Sequence, residues 1–472
     1  MKILLWGTGK IADRLVDKIK RTSDYDLVGF VDNNLSKAGS YWRGKSIIEP
    51  EQVAECQFDV LVIACNAIEE ISLQIEKNGY TKKDKVLSYN VFERMQREKE
   101  WDDQESLFWR RQKVCFVGDE EAYNMYSDLS KYIFSEHCFV SIERISETDS
   151  MEGYKIFICP PRYHSETETD SYQNKLIKLL NQSNVYKLDD WKDIFLNDIK
   201  LHLGTNHEKK IFYVLRVSDP TSGWGNIIPS ILQGIDYAEK KGYIPIVDMK
   251  YFQNQYLGPE KYGKENAWEY YFEQVSGYTL EEVYSSKNVI ISGIYSNVGM
   301  EQSYSNIQYN QITNQKFDQE YSRIFPRNEK VLGLVYRGTD YYSSYNHPKP
   351  MDINEYISKI KEVMEKTGYH YIFLATEVYD AVEAFVKEFG KKVLYTNQKR
   401  YSANERRLLY RVHFKRDNDA YLKGLEYLEV LELLARCDAL LGPAIATTKL
   451  AELINNGKYE FVYYEIDDIL SK

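Results

Sequence analysis

The chain has 472 residues and carries 61 Lys and Arg against 71 Asp and Glu, a formal net charge of −10. That length exceeds what one hydrophobic core supports and suggests about three domains, while the acidic balance excludes a general nucleic-acid binder, which needs a basic footprint. The composition, 43% hydrophobic and 28% charged with 11 Pro, is that of an ordinary globular protein, and a compositional bias accounts for the 41 Tyr as readily as stacking on sugar rings does.

The 6 Cys include no Cys-x-x-Cys pair and no His at metal-ligand spacing, so neither a metal site nor a disulfide framework is expected. Cys65, Cys115 and Cys159 fall in apolar runs and read as small buried hydrophobes. Lys2 is followed only by Ile3 to Trp6 before Gly7, too short for a signal-peptide core. No run approaches the roughly 18 apolar residues that a membrane helix needs. A cytoplasmic chain without a transmembrane segment is expected.

Residues 3–6 read as a strand that feeds Gly7-x-Gly9-x-x-Ala12 and a helix to about residue 20. A second strand, 27–31, ends on Asp32, and 58–65 and 86–89 read as two more. This is the dinucleotide fingerprint: the glycines permit a tight turn, the helix start offers N–H groups to a diphosphate, and Asp32 could hold a ribose hydroxyl. Residues 1–100 are therefore expected to form a Rossmann-like domain, with Gly7, Gly9 and Asp32 set for a nucleotide; a retained fold without a ligand is the alternative. The block resembles the small Rossmann-like domains at the front of bacterial sugar-modifying and polysaccharide-synthesis proteins.

The charged stretch 92–112 reads as an exposed helical linker. Residues 113–200 follow as a small α/β domain, with strands at 114–117, 139–142, 155–159 and 185–188 and helices at 120–134 and 170–182. It shows no catalytic constellation and reads as a spacer or docking domain. Residues 211–217 form the next strand, and a turn-rich loop with Gly223-Trp224-Gly225-Asn226 leads to a helix from about Pro229 to 241. Strands at 244–247 and 289–291 complete this half. The Asn-, Gln- and Tyr-rich run 296–319 has no clear periodicity and reads as a loop able to bond sugar hydroxyls.

The apolar strand 331–336 stops on Arg337, Gly338, Thr339 and Asp340. Ligands of open α/β sheets sit outside the carboxyl ends of strands, and the planar fork of Arg suits a phosphate. A strand-end Arg–Asp surface pair is the plain alternative. A helix over 353–366 and a strand over 371–377 follow, the latter ending on Thr376 and Glu377. After a strand at 393–395, residues 399–416 hold seven Lys or Arg against one Glu, a local charge of +6 suited to a diphosphate or to a solvated face. The helix 422–436 turns Leu425, Leu428, Leu431 and Leu434 inward, leaving Glu426, Glu429 and Glu432 to solvent. A strand at 439–441 and the turn Gly442-Pro443-Ala444-Ile445-Ala446 lead into a last helix, 449–455. There Thr447 or Thr448 could cap the helix or touch a phosphate.

Three separated features, Gly223-Trp224-Gly225-Asn226, Tyr336-Arg337-Gly338-Thr339-Asp340 and the Cys437–Pro443 segment with its Thr-bearing helix, together resemble the fucosyltransferase superfamily of GT-B glycosyltransferases. The α1,2, α1,6 and protein O-fucosyl groups belong to it, and the resemblance spans about 211–472. It implies an α/β, GT-B-like pair of Rossmann-like domains, an acceptor-side half over 211–330 and a donor-binding half over 331–472. Arg337 would bind the donor diphosphate and neutralise the departing nucleotide, and Ala375-Thr376-Glu377 would lie beside the nucleotide. Gly225, Asn226, Thr376, Thr447 and Thr448 would complete the donor site. The implied reaction is an inverting, metal-independent transfer, of fucose from GDP-fucose to a glycan hydroxyl in bacterial polysaccharide or glycoconjugate synthesis. The partners are then a nucleotide-sugar donor and a glycan acceptor, with no cofactor required. The acceptor hydroxyl needs a base; Asp340, Glu377, Asp219 and His347 are the candidates, with Asp340 assigned to donor-side architecture. The sequence departs from the family motif in Gly338, where a second basic residue is common, in Val335 or Tyr336, where His is common, and in Ala444 and Ala446 of the last loop. Two other classes stay open: a non-catalytic nucleotide-sugar-binding module of a polysaccharide assembly system, and a nicotinamide-dependent oxidoreductase centred on Gly7–Gly9, which lacks a catalytic Lys or Tyr-x-x-x-Lys nearby.

Overall fold

The computed structural model describes residues 1–20, 25–82, 85–89, 92, 109–145, 153–162, 166–180, 184–293, 306–342 and 350–470, except for the side chains of Asp17, Lys18, Leu35 and Asp340. Most of the charged linker expected at 92–112 thus lies outside the described residues. The protein is mixed α/β, with four sheets among the described residues. It divides into two compact units; Met1–Tyr123 and Leu129–Asp198 make most of the first, Ile199–Ser292 and the described residues beyond 305 most of the second.

The first sheet of the first unit comprises β1 (Lys2–Trp6), β2 (Asp26–Val31), β3 (Tyr41–Trp42), β4 (Lys45–Ile48), β5 (Val60–Ile63) and β6 (Val86–Ser88), in the order β3-β4-β2-β1-β5-β6. Its strands are parallel apart from the β3–β4 hairpin. Successive side chains of a strand point to opposite faces, so β1 supplies both cores. Ile3 and Leu5 pack with Ala12, Leu15, Val16 and Ile19 of helix α1 (Lys10–Lys20), while Leu4 and Trp6 pack with Ile71 and Ile75 of α2 (Ile68–Asn78). The sequence reading placed neither α2 nor the hairpin. The second sheet, β10-β9-β7-β8, is parallel and uses β7 (Lys113–Gly118), β8 (Glu136–Ser141), β9 (Tyr154–Cys159) and β10 (Val185–Tyr186), with helices α3 (Glu120–Ile133) and α4 (Glu166–Leu180). Asp119 starts α3 by accepting the N–H of Ala122.

In the second unit, β11 (Ile199–Leu201), β12 (Asn206–Arg216), β13 (Ile244–Asp248) and β14 (Ser286–Ile291) form a sheet in the order β11-β14-β12-β13, parallel but for the edge strand β11. The helix after β12, α5 (Trp224–Lys240), starts five residues before the expected Pro229. Its buried stripe of Trp224, Ile227, Ile228, Ile231 and Ile235 runs through that proline, and the 223–226 segment is a helix start rather than a loop. The polar run expected to be a loop ends in a helix, α6 (Gln311–Ile324). Asn310 caps it, accepting the Thr313 N–H, and Thr313 and Phe317 form its short buried face. The start of that run, 296–305, lies outside the described residues.

The last sheet contains β15 (Val331–Val335), β16 (Tyr371–Ala375), β17 (Val393–Leu394), β18 (Ala439–Leu441) and β19 (Val462–Tyr463), all parallel, in the order β17-β16-β15-β18-β19. Its helices are α7 (Ile353–Thr367), α8 (Tyr379–Phe389), α9 (Asp419–Ala435), α10 (Ala446–Asn455) and α11 (Ile466–Leu470). Central β15 is buried along its whole length, which is why it reads as a continuous apolar run. Among the described residues, no helix is long and apolar enough to cross a membrane.

Helix α9 corrects one expectation. It is apolar nearly all round, burying Leu425, Leu428, Val430, Leu431, Leu433 and Leu434, and its three glutamates are half-buried rather than on a solvated face. Glu426 takes two bonds from Arg416, and Glu432 accepts from Arg436 Nε at 2.9 Å. Burial pushes the Glu429 carboxyl up to about 7, helped by the charges of Glu320 and Glu426 and opposed by Arg323 and Lys316. A carboxyl harder to ionise in the folded chain contributes stability fully below its unfolded pKa, here about 4.5, and loses it as pH rises through about 7. Raising the pH from about 5 to 8 is therefore expected to lower the denaturation midpoint. Glu429→Gln should flatten that slope, and a variant with the wild-type slope would contradict this origin.

Candidate functional site

Strands β15, β16 and β17 build outward in one direction from the middle of their sheet, and β18 and β19 in the other, so the order reverses between β15 and β18. The loops leaving the carboxyl ends at such a reversal line the crevice of an open α/β sheet. Here they carry Arg337 after β15, Glu377 after β16 and the turn into α10 after β18.

Glu377 ties the first two together. Its Oε1 accepts the Gly338 N–H at 2.8 Å and the Thr339 hydroxyl at 3.0 Å, and its Oε2 lies 3.3 Å from Nη1 of Arg337. The pair is largely shielded, with side-chain exposures of 25% for Arg337 and 12% for Glu377. The Arg337 guanidinium also lies over the Tyr341 ring, 4.7 Å from its centroid. Gly338 has no room for a side chain, because a Cβ there would come within 2.7 Å of Val378 Cγ2. Thr339 is fully buried with φ +50°, a backbone region that β-branched residues avoid, so its loop is held against local strain of about 1–3 kcal/mol.

Two helix starts approach one another at the same place. Neither Gly223 before α5 nor Ile445 before α10 offers a side chain to cap the helix. A Cβ on Gly225 would lie 2.9 Å from Ala446 Cβ, so the missing side chain is what allows the close approach. Tyr427 of α9 bridges the two: its hydroxyl lies 3.1 Å from Thr447 Oγ1 and 3.4 Å from that same Gly225 position. Burial raises the Tyr427 phenol above its ordinary range, although the Thr447 hydrogen bond and the positive charge of Arg337 pull the other way. The hydroxyl thus stays protonated between a guanidinium and two helix N-termini, each carrying partial positive charge. Such an arrangement favours an anion.

Arg337, Glu377, Gly225 and Thr447 are therefore brought together around Tyr427 and the β15–β16 strand ends. Asn226 is exposed on the first turn of α5. Thr376 and Thr448 are buried and turn their hydroxyls onto the backbone, Thr376 accepting the Val378 N–H at 3.1 Å and Thr448 donating to the Pro443 carbonyl at 2.7 Å. Asp219 accepts from the N–H and hydroxyl of Thr221 at 2.9 and 2.8 Å. The Asp340 side chain and His347 lie outside the described residues. Much of the charge of 399–416 is neutralised locally: Arg416 pairs with Asp419 and Glu426, and Arg407 with Glu405. Among the described residues, no group of three or more His, Cys, Asp or Glu is placed to hold a metal ion.

In the first unit, Gly7 takes φ +117°, and Gly9 has open space where a Cβ would stand, as a ligand-facing turn requires. Asp32, however, already accepts from Lys37 Nζ at 2.8 Å, from the Thr8 hydroxyl and from the Asn34 N–H at 2.9 Å. Burial disfavours its charge, but those bonds outweigh it and hold the carboxyl below its ordinary range. A ribose hydroxyl would thus share a carboxylate that already serves three donors.

The sequence reading missed Tyr427, Tyr341 and Tyr401. Tyr341 follows Arg337 by four residues and lies under its guanidinium, while nothing distinguishes Tyr401 and Tyr427 among 41 tyrosines and the fold alone brings them within reach of the Arg337 charge.

Residues 1–87 match the family model described as C2185-like, N-terminal. No curated protein matches the chain. Among solved structures, it is similar to NodZ alpha-1,6-fucosyltransferase soaked with GDP-fucose, at 16% identity and a TM-score of 0.36 over 52% of this chain and 93% of that one. It is likewise similar to fucosyltransferase NodZ from Bradyrhizobium, at 15% identity and a TM-score of 0.36 over 52% and 94%.

Removing the Glu377 carboxylate takes an acceptor from the Gly338 N–H, the Thr339 hydroxyl and the Arg337 guanidinium at once. Glu377→Ala is expected to lose about 1–3 kcal/mol of stability or more in chemical denaturation. Unchanged stability would show that the carboxylate does not hold the loop.

Proposed function

We propose that residues 211–472 bind a nucleotide-sugar donor and transfer its sugar, with inversion, to a glycan hydroxyl, with 211–330 as the acceptor-side half and 331–472 as the donor-binding half. Fucose from GDP-fucose, in bacterial polysaccharide or glycoconjugate synthesis, is the particular reaction that the motif resemblance implies. The observation that carries the reading is a shielded Arg at the carboxyl end of a central strand whose charge reaches Tyr427, which lies between the starts of α5 and α10; neither start has a side-chain cap from its own N-cap residue, although Tyr256 accepts the Trp224 N–H at 2.9 Å. In the transfer, the acceptor oxygen forms a bond to the anomeric carbon as the bond from that carbon to the diphosphate oxygen breaks. The diphosphate leaves with the electron pair, and the acceptor proton passes to a base. Arg337 and the α10 start with Thr447 face the charge that grows on the leaving group. Glu377 serves as the organiser of Arg337, and the base stays open among Asp219, Asp340 and His347.

An Arg–phosphate hydrogen bond contributes roughly 1.5–3 kcal/mol, and about 1.4 kcal/mol corresponds to a factor of ten. Calorimetry with GDP, GDP-fucose, UDP and NAD is the test. Wild type is expected to bind GDP and GDP-fucose, and Arg337→Ala to weaken both by about tenfold to a hundredfold. Binding of NAD alone, unchanged in Arg337→Ala, would overturn the reading and move the functional site to Gly7–Asp32. Sugar release from the donor without acceptor separates an enzyme from a binding module.

A further inference from the structure

The basic stretch 399–416 is held at both ends. Tyr401 donates its N–H to the Glu377 carbonyl at 2.8 Å, and its own carbonyl accepts the Tyr379 N–H at 2.9 Å. Its ring lies against that of Phe414, with centroids 5.1 Å apart, and the Phe414 N–H donates to Asp419 at 3.0 Å. Residues 402–413 therefore leave and rejoin the body of the protein at one place, as an Ω-loop does. Ala403 ties the outgoing limb by donating its N–H to Asp380 at 2.6 Å, and the Val412 carbonyl ties the returning limb by accepting from Lys423.

The middle of the loop mixes two kinds of side chain. Arg406, Arg407 and Arg411 are exposed, and so are Lys399 and Lys415 beside the Tyr401–Phe414 staple. Glu405, the one acid of the stretch, is turned beneath them: its side chain is 16% exposed, whereas that of its partner Arg407 is 65% exposed. Between the arginines, Leu408, Leu409 and Tyr410 are half-buried, and Leu409–Arg411 form a tight helical turn. The Arg406 guanidinium lies 4.8 Å from the Tyr342 ring centroid, and that of Arg411 lies 5.4 Å from the Tyr410 centroid. Cations alone would suit any polyanion, but the apolar residues set among them narrow the choice. An anionic lipid surface offers phosphates to the arginines and an acyl boundary to leucine and tyrosine. Arg and Tyr suit that boundary because each has an apolar body and a polar tip.

We propose that the 402–413 loop docks the chain on an anionic lipid surface. Arg406 and Arg411 meet the headgroup phosphates, and Leu408, Leu409 and Tyr410 lie against the boundary with the acyl chains. The rest of the chain is acidic, with a net charge of −10 overall, so repulsion elsewhere makes this loop the favoured point of approach. The docking is independent of the transfer reaction proposed above.

The test is cosedimentation of the full chain with vesicles of phosphatidylcholine alone, and of phosphatidylcholine mixed equally with phosphatidylglycerol. Wild type is expected to bind the mixed vesicles and not the neutral ones, and to lose binding as salt rises from about 0.1 to about 0.5 M. Arg406→Glu/Arg411→Glu should weaken that binding at least about twentyfold. Lys209→Glu/Lys458→Glu makes the same change in total charge at exposed positions elsewhere and should leave binding unchanged. If the arginine pair disturbs folding, Lys399→Glu/Lys415→Glu beside the staple carries the same expectation. Absence of binding to the mixed vesicles, full binding by the loop variants, or an equal loss in Lys209→Glu/Lys458→Glu overturns the proposal. Heparin held as tightly as the mixed vesicles would make the loop a site for a soluble polyanion and overturn the lipid assignment.

Discussion

At the carboxyl end of β16 the chain leaves the sheet through Glu377, whose carboxylate accepts from Gly338, Thr339 and Arg337 while its carbonyl accepts the Tyr401 N–H. Along the strands, the ladder satisfies the backbone; beyond their ends it stops, and each loop must find its own partners. One residue supplies them for two neighbouring loops. The same contacts keep Thr339 in a backbone conformation it would not otherwise adopt and aim the guanidinium two residues earlier. The position of Arg337 thus depends on a carboxylate 40 residues away in sequence, delivered by the parallel register of Val335 with Ala375.

Close approach explains the glycines better than backbone freedom does. Gly338 sits against Val378 and Gly225 against Ala446, and in both cases a Cβ would clash. A second basic side chain next to Arg337 has no space at position 338, so any further cation for an anionic ligand must come from elsewhere. The Gly225–Ala446 contact gives the same reason for a small residue in the last loop: a larger side chain at 446 would push apart the two helix starts that Tyr427 bridges.

The strands of both units were legible because their burial is simple. β1, β7, β15 and β16 are apolar runs that end next to Gly or polar residues, and they form where the runs lie, whereas β12 begins at Asn206, five residues before its apolar run, in a charged and exposed stretch. The helices were harder. The stripe of α5 continues back through Pro229 to Trp224, yet glycines at 223 and 225 read as loop until it is seen that they make a helix start possible. For α9, a leucine period of three suggested one wet face, but a helix covered on several sides draws its glutamates in, and only tertiary contacts reveal the arginine partners of Glu426 and Glu432 and the burial of Glu429. At the site, Arg337 and Glu377 stood out because charged residues end apolar strands. Their bond to each other, and the tyrosines around them, depend on strand order, which a single sequence does not print.

The two strand ends singled out by sequence differ in what their charges are left to do. Asp32 in the first unit meets Lys37 at 2.8 Å and also accepts from Thr8 and Asn34, so its charge is balanced by a cation at direct contact. Arg337 in the second unit meets Glu377 at 3.3 Å, and that carboxylate also serves Gly338 and Thr339. Each carboxylate is shared among three donors, so sharing does not separate the two cases. Distance does: at equal screening, Coulomb attraction is stronger between Lys37 and Asp32 than between Arg337 and Glu377, because the first pair is in closer contact.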